Sequence, residues 1–104
     1  MPDFLFAYHG GTIPETQEEG EKAMAAWGQW FGDMGEAVVN GGNPVGQSMT
    51  VTPAGVLDNG GANPISGYTV VRAETAEAAC AMAAGCPMVA DGTGSVEVAP
   101  LIEM

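Results

Sequence analysis

The chain has 104 residues, enough for one domain (residues 1–104) and too few for two. Hydrophobic residues make up 46% and charged residues 14%, which excludes a disordered, strongly charged chain. Thirteen acidic residues stand against two basic ones, Lys22 and Arg72, for a formal charge of −11. Phosphate backbones and anionic lipid surfaces both demand clustered Lys and Arg, so no nucleic-acid or membrane partner is expected. Met-Pro-Asp at the N-terminus lacks the basic region of a signal peptide. No apolar run approaches the ~18 residues of a spanning helix. Two cysteines, Cys80 and Cys86, are too few for a secreted disulfide scaffold of this size. The expectation is a cytoplasmic protein with reduced thiols.

In chain order, Phe4 to Tyr8 reads as a strand, apolar on both faces, broken by Gly10, Gly11 and Pro14. Thr16 followed by Glu19 has the form of a capping box. Acidic residues crowd the first turns beyond it, where the helix dipole favours them. Met24, Trp27, Phe31 and Met34 recur at helical spacing with Trp30 at the edge of the stripe, and Gly35 is the expected stop. Gly20, Gly28 and Gly32 lower the intrinsic propensity of this helix, so packing must hold it. A second strand is expected around Ala37 to Asn40. Ser48 to Thr52 is a third strand, and Val56-Leu57 returns from the Pro53–Gly55 turn. Gly67 to Ala73, with Tyr68, Val70 and Val71, is a strong strand. Thr75 caps a second, Ala-rich helix that ends near Gly85, with Pro87 beyond it. Gly94 to Leu101 closes the chain. Val96 and Val98 lie on one of its faces, and Glu97, Ala99 and Leu101 on the other.

This order is α+β: the ferredoxin-like βαββαβ pattern with an added β-hairpin, an antiparallel sheet covered by two helices on one face. Two helices cannot cover both faces. Phe4, Phe6 and Tyr8 point one way, and Leu5 and Ala7 the other. The simplest cover for the second face is the same sheet of another subunit, so a homodimer packed face to face is expected.

The segment Asn40-Gly41-Gly42-Asn43-Pro44-Val45-Gly46 is echoed by Asn59-Gly60-Gly61-Ala62-Asn63-Pro64-Ile65-Ser66-Gly67. Both supply the Asn, Gly and Pro that tight turns use. They read either as two turns or as two polar loops lining one cleft, with Asn43 as a ligand contact.

His9 is the only histidine. It follows the first strand, where it would serve as a general acid–base group at a pocket mouth or as a half-buried residue bonded to backbone. Glu97 is its candidate partner, because the first and last strands of this topology are neighbours. It would orient His9 or act as a base itself, or else be an ordinary surface carboxylate. Arg72 would either clamp a substrate carboxylate or pair with Glu74 or Glu97. Trp27 and Trp30 read as core and interface. Tyr8 and Tyr68 read similarly, with hydroxyls that can reach a cavity. No metal or cofactor motif is present: three or four close ligands, a P-loop, a dinucleotide fingerprint and a nucleophile elbow are all lacking. Cys86, just past a helix end, would not gain the helix N-terminal field that activates thiols.

Taken together, Phe4-Leu-Phe-Ala-Tyr-His-Gly-Gly11, Met24-Ala-Ala-Trp-Gly-Gln-Trp-Phe-Gly32, Gly42-Asn-Pro-Val-Gly46, Gly67-Tyr-Thr-Val-Val71, Gly85-Cys-Pro87 and Gly94-Ser-Val-Glu-Val98 resemble the YCII-related family over nearly the whole chain. The resemblance implies a ferredoxin-like subunit that dimerises into an α+β barrel. One branch of the family carries a His on the first helix and an Asp before the Pro that follows the second helix. Here Met24-Ala25-Ala26 holds no His, and Cys86 precedes Pro87. That pair's chemistry therefore does not carry over. Two functional classes remain. One is a dimeric module that binds a small metabolite between sheet and partner without catalysis. The other is a cofactor-independent enzyme using His9 with Glu97 on a small aromatic or carboxylated metabolite.

Overall fold

A computed structural model describes residues 1–104. The elements run β1 (Asp3–Gly10), α1 (Gln17–Met34), β2 (Val38–Asn40), β3 (Thr50–Thr52), β4 (Gly55–Leu57), β5 (Ile65–Arg72), α2 (Ala76–Ala83), α3 (Pro87–Ala90) and β6 (Gly94–Pro100). A turn of 3-10 helix, Gly35–Ala37, joins α1 to β2. The architecture is α+β. Four strands form an antiparallel sheet in the order β2-β5-β1-β6, and β3 and β4 make a separate two-stranded hairpin.

The helix starts follow local chemistry. The Thr16 side chain accepts from the Glu19 N–H at 3.1 Å, and Glu19 in turn accepts from the Glu15 N–H at 3.0 Å. This reciprocal cap lies one residue earlier than the usual box, which reaches back to the capping residue itself. Thr75 caps α2 in the same way, accepting from Ala78 N–H at 3.0 Å. Gly35 closes α1 with its N–H on the Phe31 carbonyl. Beyond α2 the chain does not run out into a loop: Pro87 opens the short helix α3, where its missing N–H costs nothing.

All packing lies on one face of the sheet. Phe4, Phe6 and Tyr8 of β1 and Thr69 and Val71 of β5 are buried there with Trp30, Ala79, Ala83, Cys86 and Met88. Trp30 stacks on Phe6 with ring centroids 6.2 Å apart, and Trp27 meets Tyr8 edge-on at 5.2 Å. The Trp30 indole N–H donates to the Met82 carbonyl at 2.9 Å and ties α1 to α2. Trp30 is thus the most deeply set residue of α1 rather than the edge of its stripe, while Met24 is 77% exposed. Met24 lies one turn too early to reach the sheet, so the apolar face of α1 is shorter than its sequence spacing implies.

The opposite face carries Leu5, Ala7 and His9 of β1, Tyr68 and Val70 of β5, and Glu97 and Ala99 of β6, none of them fully buried. The molecule is a slab of 43 × 43 × 20 Å. Its 20 Å thickness is that of one sheet with one helical layer, each of about 10 Å. The hairpin leaves Met49, Val51, Val56 and Leu57 exposed as well. No helix is long and apolar enough to cross a membrane.

Candidate functional site

The register of the sheet brings together side chains that the sequence separates. Ala7 of β1 faces Tyr68 of β5 on one side and Glu97 of β6 on the other. Residues directly opposite in a sheet share a face, so these three form a row across the bare side. The next row toward the end of β1 holds His9, opposite Ser95. The row on the other side of Ala7 holds Val70, Leu5 and Ala99. Ala7, the small member of its row, is bordered on this face by the positions of Tyr68, Glu97, His9 and Leu5. Two strand spacings separate the Tyr68 and Glu97 backbones, about 9–10 Å.

His9 is held at both ring nitrogens. Nε2 lies 3.0 Å from Glu97 Oε1, and Nδ1 lies 3.0 Å from the Asn63 carbonyl and 3.2 Å from the Pro64 carbonyl. A neutral imidazole has one N–H, so only the doubly protonated ring donates at both ends. The backbone contacts arise from an irregularity in β5. Tyr8 pairs with Gly67 and His9 with Ile65, which leaves Ser66 as an extra residue. Such a bulge turns the strand locally, and here the Asn63-Pro64 carbonyls meet the imidazole. The His9 side chain is 12% exposed and that of Glu97 70%. His9 is thus bonded to backbone, the second of its two expected roles, and it also holds a carboxylate that faces outward.

The other candidate residues fall elsewhere. Tyr8 is on the far face from His9, as alternation along a strand requires, and cannot share a site with it. Its hydroxyl donates to Thr69 Oγ1 at 2.6 Å, and Thr69 donates onward to the Gly41 carbonyl at 3.0 Å. Burial pushes the Tyr8 hydroxyl up to about 12, against the weaker downward pull of its bond to Thr69. Tyr8 therefore joins a core relay that ties the sheet to the loop after β2. Arg72 pairs with Asp3, its cross-strand neighbour, through Nε at 3.0 Å, and not with Glu74 or Glu97. Asn43 is exposed and not among the residues lining the adjacent cleft; its carbonyl accepts from the Tyr68 N–H at 3.2 Å and anchors the loop. Tyr68 alone of these four reaches the row on the bare face.

The two Asn-Gly-Gly segments have one geometry. The Asn40 side chain accepts from Gly42 N–H and that of Asn59 from Gly61 N–H, both at 2.9 Å. The two second glycines take φ of +68° and +85°. A side chain at Gly42 would also run into the Tyr68 carbonyl. These are paired Asx turns. They also border one cleft of about 260 Å³, lined by Val45 to Ser48, Asn59 to Gly61 and Pro64 to Ser66. The echo is thus a pair of turns, and the cleft they border is lined without Asn43. The cleft adjoins the bare face through Pro64, whose carbonyl touches His9.

Both cysteines are free. Cys86 stands directly before α3, so the expectation that it lies only past a helix end is corrected. Burial nevertheless pushes its thiol up, outweighing the downward pull of the Met88 and Val89 backbone. No three His, Cys, Asp or Glu side chains gather closely enough to hold a metal ion.

Ala7 and the Asn63 and Pro64 carbonyls are the parts of this arrangement that residue chemistry did not point to. An alanine in a strand carries no signal until the register places it between Tyr68 and Glu97. Backbone carbonyls have no sequence signature at all. Comparison with protein-family models, with curated proteins and with solved structures found no match.

Proposed function

We propose that this chain is a ferredoxin-like subunit of the YCII-related type that binds a small metabolite on its bare sheet face, beneath a second copy of itself. The strand order β2-β5-β1-β6 is what that topology requires, with β3 and β4 as its added hairpin. The observation that carries the binding role is the row Tyr68-Ala7-Glu97 on the bare face, where the small Ala7 would leave a depression beside the Glu97 carboxylate that His9 holds at 3.0 Å. A sheet face with Leu5, Ala7, Val70 and Ala99 partly open to water is costly to leave bare, at roughly 25 cal/mol per Å². A facing sheet would cover it and turn the depression into a cavity.

A second reading has one observation in its favour. The His9–Glu97 contact is that of an acid–base pair, which suits a cofactor-independent enzyme. In this geometry both imidazole nitrogens are occupied, so Glu97 would be the group that meets substrate and His9 the residue that positions it.

A thermal-shift screen against a metabolite library tests the binding role, with Ala7→Leu and Glu97→Gln beside the parent chain. The expected hit is a compound that stabilises the parent and neither variant, since stabilisation follows ligand concentration over Kd. Turnover of that compound, lost in Glu97→Gln, would then favour the enzyme. Equal stabilisation of all three proteins would place binding elsewhere and refute the depression as the site.

A further inference from the structure

The hairpin of β3 and β4 buries nothing within its own subunit. Its strands pair only with each other, and none of their residues is buried. Met49, Val51, Val56 and Leu57 stand 52–78% exposed. Val51 and Val56 lie directly opposite and share one face, so water covers an apolar patch there. Two strands alone are at best marginally stable in water. The hairpin is nevertheless fixed at its base. Thr50 Oγ1 donates to the Asn59 carbonyl at 2.7 Å, and Gln47 Nε2 to the Asp58 carbonyl at 3.3 Å.

Charge restricts what can cover this element. Residues 37–57 contain none of the thirteen acidic and two basic residues of the chain. Two copies at −11 each repel wherever their acidic surfaces meet, and this stretch lets them meet without that cost. A basic partner would be drawn instead to the acidic first turn of α1. The bare sheet also needs the extra contact. From its strand lengths it presents a flat area of roughly 400 Å², whereas a standard interface buries about 800 Å² of accessible surface per partner. Asp3, Arg72 and Glu97 share that face with its apolar residues.

We infer that the hairpin is a dimerisation arm. In each subunit it lies against the second copy, with Val51 and Val56 in the contact, and extends the interface beyond the four-stranded sheet. This rests on a second copy covering the bare face. Under two-fold symmetry each copy gives one arm and receives one, so every arm contact is made twice.

The test mixes isotope-labelled and unlabelled full-length chain in equal amounts and reads contacts between copies from isotope-filtered NOE spectra. Sedimentation equilibrium gives the dimer Kd of the parent and of the double variant Val51→Thr with Val56→Thr. Threonine keeps the shape and strand preference of valine and adds a hydroxyl that a dry contact would leave unpaired. The expected result is NOEs from the Val51 and Val56 methyl groups to the unlabelled copy, and a dimer at least about tenfold weaker in the double variant. The far-UV circular dichroism of the variant should match the parent, because both residues are exposed in the subunit. The NOE measurement needs no variant and stands whatever the variant does. If the parent dimerises but those NOEs are absent, or a folded variant pairs as tightly as the parent, the arm is refuted and the sheet-to-sheet pairing is left intact. A parent that stays a single chain refutes the pairing and the arm with it.

Discussion

Replacing Thr69 by Val tests the role of the core relay in one isosteric step. Thr69 is fully buried, and its hydroxyl both accepts from Tyr8 and donates to the Gly41 carbonyl. Valine keeps the shape and removes both bonds. It leaves a tyrosine hydroxyl, on a residue only 6% exposed, with no acceptor, and a carbonyl with no donor. An unsatisfied buried hydroxyl costs about 1–3 kcal/mol, whereas Gly41 is exposed and its carbonyl can turn to water, so the substitution should cost about 1–3 kcal/mol. For a domain near this size that is a fall in Tm of roughly 5–20 °C. Tyr8→Phe should cost only about 1 kcal/mol, because Thr69 still serves Gly41. The double variant should cost no more than Thr69→Val alone, because with the tyrosine hydroxyl gone only the Gly41 carbonyl is left unpaired. Urea unfolding followed by Trp27 and Trp30 fluorescence gives all three values. Additive single costs, or a Thr69→Val cost below about 0.5 kcal/mol, would show that the relay does not hold the loop to the sheet.

The same tyrosine fixes an alkaline limit. Its folded value is raised to about 12 from 10.0, so its contribution is complete below pH 10 and is lost as pH rises toward 12. The stability of the parent relative to Tyr8→Phe should fall by about 1.4 kcal/mol per pH unit across that window, measured by urea unfolding at several pH values, and a flat difference would contradict the burial argument. Gly28 and Gly32 sit in α1 with no atom within 4 Å of where a methyl group would stand, so alanine at each should stabilise by about 0.5–1 kcal/mol. A loss of stability in thermal melts would instead reveal a partner packed on that helix face. Cys80 is exposed and Cys86 buried with its thiol pushed up, so a thiol reagent should modify one cysteine in the native protein and two after unfolding. Rapid native labelling of both would refute the placement of Cys86.

Much of the fold is legible in the sequence because its signals are local. Thr16 and Thr75 are caps wherever they precede a helix, and alternation alone separates Val96 and Val98 from Glu97. The two parities of β1 are equally apolar, and only the aromatic contacts of Trp27 and Trp30 decide that Phe4, Phe6 and Tyr8 face the helices. The pairing of His9 with Glu97 is legible from the adjacency of the first and last strands. The Arg72 partner is not, because Asp3 becomes its neighbour only through the β1–β5 register. Helix α3 escapes sequence reasoning because Cys86-Pro87 reads equally as the end of one helix and the start of another. The bulge at Ser66, which sets the ring contacts of His9, follows from how two loops fit together and not from any residue preference.

The central claim is that the bare sheet face has a partner, and that the partner is a second copy. Sedimentation equilibrium on the full chain at micromolar concentration, with Leu5→Asp beside it, addresses this most directly. Leu5 lies on the bare face outside the core cluster, so the aspartate should leave the subunit folded and repel its counterpart across the interface. Face-to-face pairing predicts twice the chain mass for the parent, with association strengthened by salt that screens the charge of −11 on each copy, and the mass of a single chain for Leu5→Asp. A parent that sediments as a single chain at every salt concentration would contradict it.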